Sequence, residues 1–165
     1  MKKVLFSLIA VVALAGVALW QFSGSARAAA PDVTFVSLTG QQITPQDLRG
    51  KVVLVKFWAT DCATCIQQMP DMIKTYDALA PKGFEAIAVA MQYDPPNYVK
   101  NYAETRKLPF PVAIDAQGRI AKAFGDIKLT PTAFLIDKQG HIIKRYLGNY
   151  DKTAFLNTVE KALAS

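Results

Sequence analysis

Short apolar runs alternate with amphipathic stretches along most of this chain, and the alternation predicts an α/β domain. The runs at 52–58 and 84–91 are apolar on both faces, which is typical of strands in the middle of a sheet. The predicted strands span 33–38, 52–58, 84–91, 110–114, 132–136 and 142–147. The predicted helices span 62–79, 97–107, 120–124 and 151–164. The pattern therefore predicts a mixed central sheet flanked by helices.

Glycine, proline and aspartate mark the turns between these elements. Gly40 and Pro45 predict a loop after the first strand, and the sequence DKQG at 137–140 predicts a hairpin. Pro70 lies inside the first predicted helix, where it should cause a kink. Asp94 stands before two prolines and is a candidate cap for the next helix.

The first thirty residues have a different pattern from the rest. Lys2 and Lys3 precede an apolar run at 4–20, and a polar stretch with several alanines then leads to Ala30. This order is typical of a signal peptide, whose apolar region usually has ~7–15 residues. A membrane-spanning helix needs about 20 residues, so the run has an intermediate length.

We therefore predict that residues 1–30 are a signal peptide or an N-terminal membrane anchor. A signal peptide would be cleaved after Ala28 or Ala30, where small residues form the expected pattern, and an anchor would use residues 4–20. In both cases residues 31–165 form one exported domain, which we place in the periplasm.

Charge and composition exclude several classes of function. The chain carries a formal net charge of +6, but its basic residues are scattered and form no run that would suit nucleic acid or an acidic membrane. A structural zinc site needs four ligands, whereas the chain contains only two cysteines and one histidine, His141. We therefore predict neither a nucleic-acid partner nor a metal, and no other cofactor.

The two cysteines of the chain, Cys62 and Cys65, lie in the segment WATDCATC at 58–65, directly after a predicted central strand. Two thiols with this spacing can close and open a small disulfide ring, and the N-terminus of the following helix would stabilise a thiolate on the first. A disulfide that closes so short a loop adds little stability. In an exported domain the pair therefore indicates disulfide exchange.

Several elements in a fixed order resemble the thioredoxin superfamily over residues 33–163. They are Trp58, Cys62, Cys65, a proline five residues later at Pro70, and Thr130-Pro131 before a hairpin. The lead-in DLRGK at 47–51 and an added strand and helix between 91 and 114 are similar to the TlpA and ResA type of bacterial thiol-disulfide oxidoreductases.

The resemblance implies a thioredoxin fold with an N-terminal β extension and a central strand-helix insertion. It implies that Cys62 is the attacking thiolate and Cys65 the resolving thiol. It also implies a cis Pro131 beside the pair, with Thr130 offering backbone hydrogen bonds to an extended substrate and Trp58 completing the binding surface.

The same resemblance implies what the protein works with. Its substrates would be protein disulfides, and a membrane-embedded protein of the DsbD or CcdA type would supply electrons. The activity would be that of a reductase in cytochrome c maturation or metal-site assembly.

Three residues near the pair depart from the family pattern and are candidates for tuning the pKa of the thiols. Lys56 stands where thioredoxins keep a buried carboxylate; it either favours a thiolate or is a partly exposed surface lysine. Gln68 stands where the ResA type has a glutamate, so it can only form hydrogen bonds. Asp61 replaces an aromatic residue before Cys62, where it either opposes a thiolate or caps the helix. These residues leave the direction of exchange open.

Two other functions remain as alternatives at this point. A non-enzymatic Cu(I) chaperone would use two soft thiolates, although no Met- or His-rich cluster supplements them. A thiol peroxidase of the peroxiredoxin kind would need a proline and a threonine where this chain has Val55 and Ala59. Tyr93, Tyr98 and Tyr102 either line a substrate groove or, as we expect, pack against the sheet.

Overall fold

The computed structural model describes residues 27–165. The predicted signal peptide or anchor at 1–30 therefore lies outside the described residues except for its last four. In that short piece, the carbonyl of Ala28 accepts a hydrogen bond from the amide of Ile142 at 2.8 Å. Within the described part, no helix is long and apolar enough to cross a membrane.

Seven strands and four helices make up the described chain. The strands are β1 Phe35–Val36, β2 Gln42–Ile43, β3 Val52–Trp58, β4 Phe84–Ala90, β5 Val112–Ile114, β6 Thr132–Ile136 and β7 Ile142–Leu147. The helices are α1 Ala63–Leu79, α2 Pro96–Thr105, α3 Arg119–Ala123 and α4 Lys152–Ala164, with a 3-10 turn at Ala80–Lys82 after α1.

The central sheet has five strands in the order β5-β4-β3-β6-β7. β3 pairs in parallel with β4 and antiparallel with β6, β4 pairs in parallel with β5, and β6 and β7 form the predicted hairpin. The prediction of a mixed central sheet is confirmed. Because β3 has a partner on each edge, the segment that follows it starts from the middle of the sheet.

Two apolar cores cover the two faces of this sheet. Leu54 and Trp58 of β3 join the core beneath α1, α2 and α4, whereas Val55 and Phe57 join the core on the side of α3 and the β1–β2 hairpin. All seven residues of β3 are buried. This alternation is what period-2 strand geometry requires of a strand covered on both faces.

Some predicted element boundaries are wrong. The first strand shortens to β1, and its partner β2 falls in the segment predicted as a loop after Gly40, which turns with φ +82°. The strand predicted at 110–114 begins at Val112, because Pro111 has no N–H to donate to the sheet. α1 continues through Pro70 without interruption.

Candidate active site

Cys62 lies where β3 gives way to α1. It is the N-cap residue of α1, and its Sγ accepts a hydrogen bond from the amide of Cys65 at 3.2 Å. The first turn of α1 contains no acidic residue. A negative charge on Cys62 would therefore meet the positive end of the helix dipole and its free amides.

The two cysteines are joined as a disulfide, with their Cα atoms 5.2 Å apart. Cys65 is fully buried in the core beneath α1, whereas Cys62 is only partly buried. A second protein can therefore reach the sulfur of Cys62 and not that of Cys65. This difference is what an attacking and a resolving thiol require.

The Thr130-Pro131 peptide bond is cis and stands directly before β6. Phe57 is paired with Thr132, so the antiparallel register brings Pro131 next to the end of β3, from which the cysteine loop departs. The carbonyl of Pro131 accepts a hydrogen bond from Gly148 at 2.8 Å. The backbone N–H and C=O of Thr130 have no partner among the described residues, so both are available to an extended chain.

Trp58, which the sequence placed on the binding surface, has no exposed surface in the structure. Its ring packs against Tyr102 with centroids 5.3 Å apart, and its indole N–H has no hydrogen-bond partner among the described residues. The side chain thus belongs to the core that also contains Cys65 and does not present a surface to a substrate.

Lys56 is also fully buried, which corrects the reading of this residue as a partly exposed surface lysine. Its β-sheet neighbours are Ala88 and Ala133, two small residues that leave room for a long side chain on the same face as Trp58. Its Nζ donates a hydrogen bond to Oε1 of Gln68 at 2.7 Å. Burial in this core lowers the pKa of Lys56 to about 8.

Gln68 connects the buried lysine to the loop after β7. Its Nε2 donates to the carbonyl of Gly148 at 3.1 Å and to Oδ1 of Asn149 at 3.2 Å, which leaves Oε1 facing the lysine. A cavity of about 250 Å³ borders this amide and is lined by Gln68, Asn149 and Tyr150 among others. Solvent can therefore approach to within one hydrogen bond of Lys56.

Asp61 is exposed and does not cap α1, since Cys62 holds the N-cap position. The acidic residue that shapes the loop is Asp94, which the sequence analysis proposed as a cap for α2. Its buried carboxylate accepts hydrogen bonds from the amide of Thr60 at 2.7 Å and from the Thr60 hydroxyl. Asp94 thus clamps the cysteine loop, while Pro95 takes the N-cap of α2.

One signal in the sequence could have revealed this clamp. The carboxyl ends of parallel strands lie side by side, so the loops after β3 and β4 are neighbours. Thr60 stands two residues beyond β3 and Asp94 four residues beyond β4. A carboxylate in the second loop is therefore within reach of free amides in the first.

An open groove runs from the cysteine loop along α2. It has a volume of about 460 Å³, and its walls include Asp61, Tyr98 and Arg106. Tyr98 is 59% exposed and Tyr93 is 53% exposed, so the expectation that they pack against the sheet is wrong for both. Tyr102 does pack inward, against Trp58.

Known proteins share the sequence pattern and the fold of this chain. Residues 25–163 match the family model described as Redoxin. The thiol-disulfide oxidoreductase ResA of Bacillus thuringiensis subsp. konkukian is 41% identical over 123 residues, which cover 74% of this chain and 70% of that protein.

Solved structures show the same fold. A thiol:disulfide interchange protein of the thioredoxin family from Chlorobium tepidum superimposes with a TM-score of 0.77 at 30% identity, covering 86% of this chain and 99% of its own. The thioredoxin domain of a thiol-disulfide oxidoreductase from Bacteroides vulgatus gives a TM-score of 0.70 at 29% identity, covering 84% of this chain and 98% of its own. The predicted thioredoxin fold is confirmed.

Replacing Asp94 tests the clamp on the cysteine loop. Asp94→Ala leaves the Thr60 amide without its acceptor, and we expect the free energy of unfolding to fall by about 1–3 kcal/mol. Hydrogen exchange at the Thr60 amide, followed by NMR, should accelerate strongly. Asp94→Asn keeps one acceptor oxygen and should show smaller changes in both measurements; unchanged exchange at Thr60 in Asp94→Ala would contradict the clamp.

Burial of Lys56 makes the stability of the oxidised protein depend on pH. The unfolded chain holds this proton up to its ordinary pKa of 10.5, whereas the folded protein releases it near pH 8. Between these values the unfolded state binds more protons, so stability rises with pH. From pH 7 to pH 10 the wild type should gain about 2 kcal/mol relative to Lys56→Met, measured by urea unfolding.

A control separates this effect from the general loss of one positive charge. Lys51 stands just before β3 and pairs at the surface with Glu85. Lys51→Met should therefore keep the pH profile of the wild type. A constant stability difference between wild type and Lys56→Met across this pH range would show that Lys56 is not a buried titrating group.

Proposed function

The chain belongs to the Redoxin family and is a thiol-disulfide oxidoreductase, and from this premise we propose that it is exported and reduces disulfides of other proteins outside the cytoplasm. The observation that carries the proposal is the unequal burial of the two sulfurs at the start of α1. Cys62 is accessible to a second protein, whereas Cys65 is fully buried.

The exchange proceeds in two displacements. The thiolate of Cys62 attacks one sulfur of the substrate disulfide, which forms a mixed disulfide and expels the other substrate sulfur as a thiolate. The Cys65 thiol then loses its proton and attacks Cys62, closing the Cys62–Cys65 disulfide and expelling the second substrate thiolate. Two electrons pass from the pair to the substrate, and the two substrate thiolates take protons from the solvent.

The surroundings of the pair suit an extended polypeptide as substrate. The free backbone groups of Thr130 can pair with a passing strand close to the end of β3, from which the cysteine loop departs. Tyr93 stands next to this position, with its hydroxyl 3.4 Å from that of Thr130. The groove beside Tyr98 is also lined by Thr60 and Asp61, so it borders the cysteine loop as well.

The N-terminal segment and the family resemblance suggest where the protein works. A signal peptide or anchor at 1–30 would deliver the domain to the periplasm, either free or held at the inner membrane. There, a membrane-embedded donor of the DsbD or CcdA type would reduce the pair after each turnover. Substrates in cytochrome c maturation or metal-site assembly would need such a reductase, because their cysteines must be free before a haem or metal is attached.

Cysteine variants test the exchange and the order of the two thiols. Cys65→Ser leaves Cys62 able to attack but removes the thiol that resolves the mixed disulfide. We therefore expect this variant, produced in its native host and acid-quenched, to accumulate disulfide-linked complexes with partner proteins on non-reducing gels. These complexes should disappear on reduction and can be identified by mass spectrometry.

Cys62→Ser is the matched control, since it retains a cysteine in the same motif but only the buried one. It should trap no more partner proteins than a variant in which both Cys62 and Cys65 are replaced by serine. Equal trapping by both single variants would contradict the assignment of Cys62 as the attacking residue, and an absence of complexes from both would contradict exchange with protein substrates.

A further inference from the structure

Lys56 carries a charge that the fold does not neutralise. Its side chain is fully buried, and none of the ion pairs among residues 27–165 includes it. Its hydrogen-bond partner is the neutral amide of Gln68. A buried ammonium without a carboxylate is costly, so a negative charge that forms in the same core would be stabilised by it.

The position of Lys56 indicates where such a charge can form. Lys56 and Trp58 lie on the same face of β3, and the core on that face contains Cys65. Gln68, which holds the ammonium, follows Cys65 by three residues, so the two lie one turn apart on α1. Asp71 lies one turn from Gln68 in the other direction, but it is exposed and pairs with Lys152. The cysteine pair is thus the group on the buried face of this helix that can become negative, and it does so when its disulfide opens.

We propose that Lys56 is a redox-linked cation, whose buried ammonium is compensated by the thiolate that appears when the Cys62–Cys65 disulfide is reduced. The proposal depends on disulfide exchange at this pair and is independent of the direction and the partners proposed above. Lys56 is a positioning residue in this role, because it stabilises the negative charge of the thiolate in the reduced pair and does not bond to the substrate.

Two electrons open the disulfide to one thiolate and one thiol, and the thiol takes one proton from solvent. Attraction between the thiolate and the ammonium is strong in a buried site and raises the proton affinity of Lys56. At a pH above about 8, where the oxidised protein has lost the Lys56 proton, reduction therefore takes up a second proton at this lysine.

Other ionisable groups on the surrounding elements cannot replace Lys56 in this coupling. They are Asp71 on α1, Lys144 and Tyr146 on β7, Tyr150 in the loop before α4, and Lys152 on α4. Asp71 and Lys152 pair with each other at 2.5 Å on the exposed rim. Burial raises the pKa of Tyr146 and raises that of Tyr150 to about 12, so both stay neutral near pH 8. Lys144 is exposed and lies over the ring of Tyr146.

The test is the redox equilibrium of the full-length protein with dithiothreitol at pH 7 to pH 10, kept in mild detergent so that the N-terminal segment can remain. The fraction of reduced pair is read by thiol alkylation in wild type, Lys56→Met and Lys51→Met. At pH 7 the equilibrium constant for reducing the wild-type pair should exceed that of Lys56→Met by about tenfold. This advantage should shrink towards unity by pH 10, as the oxidised and then the reduced protein lose the Lys56 proton.

Each outcome has a definite meaning. A ratio that is large but constant across the pH range would overturn the proposal, since it would indicate a packing effect of the methionine. A ratio near one at pH 7 would overturn it as well. Lys51→Met should match the wild type throughout, because its ammonium is solvated and paired with Glu85.

A second measurement uses only the wild-type protein, so it does not depend on whether a variant folds. The pKa of Lys56, followed by NMR of the labelled side-chain nitrogen, should rise when the pair is reduced. An equal pKa of Lys56 in both redox states would contradict the coupling. Failure of the partner-trapping experiment would leave these results unaffected, so the two proposals fail separately.

Discussion

The enclosure of β3 on both edges and both faces is the constraint on which the rest of this structure depends. It fixes the point from which the cysteine loop leaves the sheet, and it fixes the register that brings Pro131 beside that loop. It also forces every side chain of the strand inward, including that of Lys56. Burial of apolar side chains such as Leu54 and Val55 stabilises the strand by about 1.5–3 kcal/mol each. The lowered pKa of Lys56 corresponds to a cost of about 3 kcal/mol when the lysine is charged. The strand therefore contains one residue that lowers its stability, close to the reactive pair.

The active site separates reactivity from access. The start of α1 provides a positive environment for the sulfur of Cys62, which a partner can reach. The core excludes solvent from the sulfur of Cys65. Asp94 holds the intervening loop from the neighbouring strand, so the loop geometry does not depend on the helix alone. Lys56 and Gln68 place a buried cation and a neutral amide on the face of the sheet that α1 covers.

The sequence predicts much of this arrangement, and its failures have physical reasons. Long apolar runs identify β3 and β4, and the order of the cysteines, Pro70 and Thr130-Pro131 identifies the fold. The burial of Lys56 was missed because it depends on Ala88 and Ala133, which are distant in sequence and make space only once the sheet has formed. The β1–β2 hairpin was missed in part because two-residue strands carry too few side chains to show a period. The groove at Tyr98 could not be foreseen, since an i,i+4 pair of tyrosines on a helix fits a covered face as well as an open one.

The proposed reductase needs a Cys62–Cys65 pair that is kept reduced outside the cytoplasm. The redox state of the pair in growing cells therefore decides whether the chain supplies electrons to other proteins. Cells are quenched in acid, free thiols are alkylated, and the two forms are separated by the added mass. A pair held mostly as the dithiol, which becomes oxidised when the membrane electron donor is removed, is the predicted result. A pair found mostly as the disulfide in normal cells, and unaffected by loss of that donor, would contradict a reductase and indicate an oxidant.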